Sequence, residues 1–78
     1  MVHKEFMNKR ELKSYEAMEK RVMFLNHNYQ VGESVKVRND DYTYSTDVIT
    51  APFQIMSGNV VAWLENKRCY LAERVEKP

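Results

Sequence analysis

Residues 31–75 carry the pattern that most limits how this chain can fold. Apolar residues alternate with polar ones over several short runs, and turn-forming residues separate each run from the next. A period of two residues is typical of a β-strand that buries one face. Several short strands at close spacing predict a small antiparallel β-barrel over this part of the chain.

The individual strands can be placed from their apolar residues and from the residues that interrupt them. Residues 42–46 have high β propensity but little aliphatic content, so they form either one arm of a loop or an edge strand. Pro52 is expected to stop a strand, and Ser57-Gly58-Asn59 is typical of a hairpin. Trp63 is expected to anchor the core. Strands are predicted at 34–38, 47–51, 60–64 and 68–71, with a short helical turn and a last strand at 72–75, and 76–78 is expected to fray.

An N-terminal helix is predicted over residues 5–26, which contain no Gly or Pro and are rich in helix-forming residues. The segment Asn26-His27-Asn28 is expected to end it, because Asn tolerates the left-handed conformation of a helix cap. One stripe of the helix is apolar and should be buried. Its members are Tyr15, Met18, Val22 and Leu25.

Opposite this stripe lies a group of basic side chains within an arc of roughly 120°. We call it the basic helix face, and it consists of Lys9, Arg10, Lys13, Lys20 and Arg21. The group is either a solvated helix surface or a contact surface for phosphate or an acidic protein. Phe6 and Phe24 project close to the same arc. They are either held by the barrel or exposed as apolar anchors beside the charges.

A second candidate binding site consists of Tyr42, Tyr44 and Phe53. Tyr42 and Tyr44 are two residues apart and share one face if their segment is extended. Aromatic rings near Lys and Arg side chains suit stacked bases or a peptide. The alternative is that the two tyrosines simply pack over an open edge of the barrel.

Composition limits the setting and the chemistry. The 78 residues are enough for one domain with a marginal core, so a homo-oligomer is an open alternative. No apolar run approaches the roughly 20 residues that cross a membrane, so no membrane contact is expected. A single cysteine is typical of a reducing compartment, so a cytoplasmic protein is expected. Cys69 is the single cysteine and cannot form an internal disulfide. It is expected to be buried in its strand, and neither a metal site nor a cofactor is expected.

Four short motifs, taken in their order along the chain, resemble those of known families. A G-[DE]-x-V-x-V-R strand occupies 32–38, V-I-T occupies 48–50, V-x-W occupies 61–63 and L-x-x-R-V occupies 71–75. This order resembles the SH3-like barrels, and among them the KOW or Tudor-type modules of small bacterial and phage proteins. The opening and closing strands are also similar to the type II dihydrofolate reductases. That family reads its substrate with V-Q-I-Y, where this chain has Arg68-Cys69-Tyr70-Leu71.

The sequence thus predicts an α+β protein that forms one compact domain. Residues 1–30 are the amphipathic helix and its cap, and residues 31–78 are the SH3-like antiparallel β-barrel. The chain contains no Gly-rich phosphate loop, no HExxH and no paired cysteines, so a non-enzymatic function is expected. The first expectation is a protein-interaction adaptor or inhibitor of phage or mobile-element origin. A nucleic-acid-binding regulator is the second, and a reductase of the type II kind is the third.

Overall fold

The computed structural model describes residues 8–78, and in this range it has one α-helix and five strands. The predicted α+β class is confirmed. The predicted helix start at residue 5 and the position of Phe6 lie outside the described residues. The elements are α1 Lys9–Asn28, β1 Ser34–Arg38, β2 Tyr44–Met56, β3 Asn59–Leu64, β4 Arg68–Leu71, a 3-10 helix Ala72–Arg74 and β5 Val75–Glu76.

The five strands form one antiparallel sheet in the order β4-β3-β2-β1-β5. Within residues 8–78 no pairing joins β4 to β5, so the prediction of a closed barrel is wrong. The chain turns into the 3-10 helix directly after β4, and β5 is too short to extend a ladder on both of its sides. One side-chain bond still links β4 to β1, because the hydroxyl of Tyr70 on β4 donates to the carbonyl oxygen of Arg38 on β1 at 2.6 Å.

β2 is one strand of 13 residues, although the sequence predicted a stop within it. Pro52 is tolerated because the register between β2 and β3 shifts on both sides of Ala51, first after Ile49 and again before Gln54. A proline has no N–H to donate, and a bulge is a place where the ladder needs no donor. The predicted strand at 47–51 and the apolar segment after it are therefore one bent element.

Asn26 fastens α1 to this irregular part of β2. Its side-chain oxygen accepts the backbone N–H of Phe53 at 2.7 Å, and its side-chain nitrogen donates to the Phe53 carbonyl oxygen at 3.2 Å. The two bonds satisfy backbone groups that lie between the register pairs of β2 and β3. The helix ends at Asn28, inside the predicted cap segment, with Tyr29 as the C-cap residue.

The core lies between the C-terminal part of α1 and one face of the sheet. Of the predicted helix stripe, Leu25 is buried in the core, while the other three members are half-buried. Phe53 is also in the core, where its ring lies 5.5 Å from that of Tyr29. The largest fully buried side chains are Val35, Val37, Ile49 and Leu64.

Two predictions about burial in β3 and β4 are wrong. Trp63 is only half-buried, and it lies on the face opposite the buried Ala62 and Leu64. Its indole N–H donates to the side-chain oxygen of Gln54 at 3.1 Å. Cys69 pairs directly with Trp63 and is exposed. Since β3 is apolar on both faces, its sequence alone does not tell which face is covered.

The C-terminal segment is also better fixed than predicted. Lys77 forms an ion pair with Glu33 and donates to the carbonyl oxygen of Asn28 at 2.6 Å. Its ammonium group also lies 4.3 Å from the centre of the Tyr29 ring. The hydrogen bond from Lys77 holds the pKa of Glu33 below its ordinary value. Lys77 thereby joins the end of the sheet to the end of α1.

Candidate binding surfaces

The basic helix face is exposed along the whole length over which it was predicted. All five of its side chains are exposed, and none forms an ion pair with another described residue. The side chain of Asn8 caps the helix start by accepting the N–H of Glu11 at 2.8 Å. At about 1.5 Å per residue, the distance along the axis from Lys9 to Arg21 is roughly 18 Å.

Phe24 lies within the arc of the basic helix face, and its side chain is largely exposed. It is 64 % exposed, although the next residue, Leu25, is buried in the core. On a helical projection of about 100° per residue, Phe24 falls between Lys20 and Arg21. Met23 is 73 % exposed but lies roughly 100° around the helix from Phe24. The structure therefore places one exposed apolar side chain among the charges and a second one beside them.

The loop between β1 and β2 presents Tyr42, whose side chain is 80 % exposed. The N–H of Asn39 donates to the Thr43 carbonyl oxygen at 2.8 Å, and the N–H of Tyr42 donates to that of Asn39 at 3.0 Å. Asp41 accepts both the N–H and the hydroxyl of Thr43, and these bonds hold the pKa of Asp41 below its ordinary value. Tyr42 has a φ of 65°, in a region that aromatic residues rarely occupy. A rigid turn thus presents an exposed ring on a strained backbone.

Tyr44 does not share a strand face with Tyr42, because the backbone at Tyr42 is not extended. Tyr44 is the first residue of β2 and pairs with Arg38. The ammonium group of Lys36 lies 4.3 Å from the centre of the Tyr44 ring and forms an ion pair with Glu76 at 3.4 Å. One face of the Tyr44 ring is therefore already in contact with a cation.

Phe53 does not belong to this surface, so its assignment as a binding residue is corrected. Its side chain is 2 % exposed, because the register shift after Ala51 directs it into the core. The base of the Tyr42 loop is tied to the 3-10 helix between β4 and β5. Arg74 forms an ion pair with Asp40 and lies 3.4 Å from the hydroxyl of Tyr70.

Asp47 is the one buried charged side chain in the described part of the chain, and it was not predicted as a special residue. Its carboxylate accepts backbone N–H groups from Val48 at 2.8 Å, Asn66 at 3.0 Å and Lys67 at 2.9 Å, and the side-chain N–H of Asn66 at 3.2 Å. Burial opposes its ionisation, but these hydrogen bonds outweigh burial and hold the pKa of Asp47 below its ordinary value. Since both oxygens are engaged by the turn between β3 and β4, the role of Asp47 is structural.

A sequence signal for Asp47 exists, although it is indirect. The turn at 65–67 contains no glycine, and Arg68 directly after it has a φ of 63°. A turn that places a non-glycine residue in the left-handed region needs stabilisation from elsewhere. An acidic residue within the neighbouring strand β2 is a suitable source, because a carboxylate accepts several N–H groups at once.

The residues that the structure describes, 8–78, contain no candidate metal cluster and no candidate membrane-spanning helix. No three His, Cys, Asp or Glu side chains lie close enough together there to hold a metal ion. In the same range no helix has the length and hydropathy that crossing a bilayer requires. Comparison with protein-family models, curated proteins and solved structures finds no match for this chain. The resemblance to SH3-like barrels and to KOW or Tudor-type modules stays a prediction.

Proposed function

We propose that this protein is a non-enzymatic binding module that acts as an interaction adaptor or inhibitor. Its basic helix face contacts an acidic protein, with Phe24 as the apolar anchor. The exposure of Phe24 at 64 % carries this proposal. The helix backbone that carries Phe24 is held against the sheet, because Leu25 is buried and Asn26 is bonded to the backbone of β2. Aromatic and Arg side chains are typical of the few residues that dominate a protein interface.

The charge distribution favours a protein partner over nucleic acid. The net charge of the chain is only +1, far from the strongly basic balance of proteins that bind many phosphates. An acidic protein with an apolar pocket can use both features of the face. Its carboxylates attract the Lys and Arg side chains, which speeds encounter, and its pocket takes the Phe24 ring, which slows dissociation.

Binding of single-stranded nucleic acid is the second candidate, and two observations favour it. The basic helix face has no acidic partner among the described residues, and the ring of Tyr42 is 80 % exposed on a rigid turn. Non-specific binding to single strands combines basic side chains with aromatic rings on which bases stack. Under this candidate Tyr42 and the five basic residues act together.

A peptide-display selection on the folded protein tests the first candidate. We expect enriched peptides that combine Asp or Glu with a large apolar residue. Phe24→Ala should weaken their binding at least about tenfold, because an anchor of this kind contributes 2 kcal/mol or more. Met23→Ala is the matched control, since Met23 is equally apolar and more exposed but lies outside the arc. Gln at all five positions of the basic helix face should weaken binding most at low salt.

Two results would contradict this proposal. One is a set of enriched peptides whose binding is unchanged by Phe24→Ala and by the five Gln substitutions. The other is an equal loss of peptide affinity in Met23→Ala, which would mean that non-specific apolar contact with the helix explains the selection. Fluorescent single-stranded DNA and RNA then test the second candidate. Binding that weakens steeply with salt and requires Tyr42 would support it, and no binding at low salt would exclude it.

A further inference from the structure

The face of the sheet opposite the core carries a second apolar surface, on β2, β3 and β4. Residues that pair directly across antiparallel strands share a face, and these pairs extend from Trp63 and Val61 to both neighbouring strands. None of the side chains on this surface is charged. We call it the outer apolar face, and it consists of Ala51, Gln54, Met56, Val61, Trp63, Cys69 and Leu71.

Several side chains of the outer apolar face remain accessible. Met56 is 40 % exposed, Cys69 is exposed and Trp63 is half-buried. Val61, at the centre, is only 6 % exposed although it is not part of the core cluster. An uncharged surface that includes Trp and Met has the composition of the central part of a protein interface.

The outer apolar face reaches an open edge of the sheet at β4. In the part of the chain that the structure describes, β3 is the only strand paired with β4. The register between them is continuous from Val61 and Leu71 to Leu64 and Arg68, so β4 has no bulge. It also contains no proline. Bulges and prolines are two of the devices that keep an exposed edge from pairing with another strand.

The charges at the two ends of β4 indicate which strand would fit this edge. Lys67 and Arg68 stand at its start, and Glu73 follows its end. When a strand pairs antiparallel with its own copy, the start of each lies beside the end of the other. The register that places Tyr70 opposite Tyr70 of the second copy sets Cys69 opposite Leu71. It also brings the turn residue Lys67 of one copy towards Glu73 of the other, which lies in the 3-10 helix directly after β4. The charges at the two ends of β4 are therefore complementary to those of a second copy that pairs with it antiparallel.

We propose that a second copy of this chain pairs with β4 and forms a two-fold symmetric dimer with a continuous sheet. Across the contact, each layer of the outer apolar face continues from Val61 and Leu71 of one copy to Cys69 and Trp63 of the other. Strand addition supplies backbone hydrogen bonds, and the apolar layers supply buried surface. A chain of 78 residues has a small core, so it gains more from such burial than a larger domain.

Sedimentation equilibrium in reducing buffer tests this dimer, with circular dichroism to confirm that each variant is folded. The parent mass should rise from 9.3 kDa towards twice that value with increasing protein concentration. Lys67→Glu or Glu73→Lys alone should weaken dimerisation about tenfold or more, because each places like charges together at both ends of the contact. The double variant restores opposite charges and should recover the parent affinity. Glu16→Lys is the matched charge-reversal control, at an exposed position of α1 outside the basic helix face, and should have no effect on dimerisation.

Mixing the two single variants gives a second, independent readout. One copy then carries Glu at both positions and the other carries Lys at both, so the mixed dimer should form in preference to either homodimer. A parent that stays at 9.3 kDa up to millimolar concentration would overturn the proposal. Association that is equal in the parent, both single variants and the double variant would also overturn it, since the contact would then lie elsewhere.

Discussion

Replacing Asp47 by Asn should lower the free energy of unfolding by roughly 3 kcal/mol at neutral pH. The carboxylate is 2 % exposed and accepts four N–H groups. Asn has nearly the same shape, but its amide keeps only one acceptor oxygen and turns its own N–H group towards the N–H of Lys67. A hydrogen bond to a charged group contributes about 1.5 to 3 kcal/mol. The total stays below the sum of four such bonds because the turn is exposed and water can replace some of them.

The pH dependence of this loss identifies the charge of Asp47 as its cause. The pKa of Asp47 is lower in the folded protein than in the unfolded chain. The ionised carboxylate therefore stabilises the fold above the unfolded pKa of about 3.9, and this contribution disappears as the pH falls through the folded value. The stability difference between the parent and Asp47→Asn should be largest near neutral pH and should shrink below about pH 4. Glu33 and Asp41 titrate in both proteins, so their contributions cancel in the stability difference between the parent and the variant.

Urea unfolding followed by far-ultraviolet circular dichroism, at several pH values from about 2.5 to 7, measures this difference. The urea slopes of the two proteins should agree, because both expose the same surface on unfolding. Glu65→Gln is the control, since it removes an exposed carboxylate from the same turn and should change stability by less than about 0.5 kcal/mol. A difference that is absent at neutral pH, or that stays constant down to acidic pH, would refute the reasoning about Asp47.

Three further predictions concern packing and backbone strain. Asn26→Ala removes both bonds to the β2 backbone and should cost about 2 kcal/mol in urea unfolding; a loss below about 0.5 kcal/mol would mean that packing alone holds α1. Leu64→Ala should cost about 3 to 4 kcal/mol, whereas Trp63→Ala should cost only about 1 to 2 and remain folded. Equal losses would contradict the assignment of the two faces of β3. Tyr42→Gly and Ser57→Gly each relieve a residue with positive φ and should raise the melting temperature by a few degrees; a decrease in both would show that these residues are not strained.

The local pattern of apolar and polar residues was sufficient to predict the elements that bury one face and end at ordinary turns. β1 and β4 have the predicted bounds, and the 3-10 helix and last strand follow where expected. Ser57 and Gly58 both have positive φ and lie in the turn of the hairpin that was predicted at Ser57-Gly58-Asn59. In the helix, the three-and-four spacing identified Leu25 as buried, because that spacing follows directly from helix geometry.

The predictions failed where a distant residue decides the local structure. Pro52 lies within β2 because Asn26 on α1 bonds to the backbone after it, and nothing in the sequence around Pro52 indicates this partner. The left-handed backbone at Arg68 depends on Asp47, which precedes it by 21 positions. Trp63 was placed in the core for its size, but the core has room for Ala62 and Leu64 on the other face of β3.

For the candidate sites, all members of the basic helix face could be predicted, because helical geometry determines which side chains lie opposite a buried stripe. The sequence left open whether the Phe24 side chain is exposed, since this exposure depends on how far the sheet extends along α1. Phe53 was assigned to the wrong environment, because the register shift in β2 has no signal in the sequence. The outer apolar face was not recognised at all, as it appears only when three strands are aligned.

The position of Trp63 determines what its fluorescence reports. It is the single tryptophan of the chain, and its indole lies on the outer apolar face beside Gln54, not in the core. Its emission in the native state should therefore already be shifted towards longer wavelengths, and loss of the core should shift it only a little further. Emission at shorter wavelengths with rising protein concentration would instead report that this surface has been covered. A fluorimeter would thus follow association of this protein more sensitively than its unfolding.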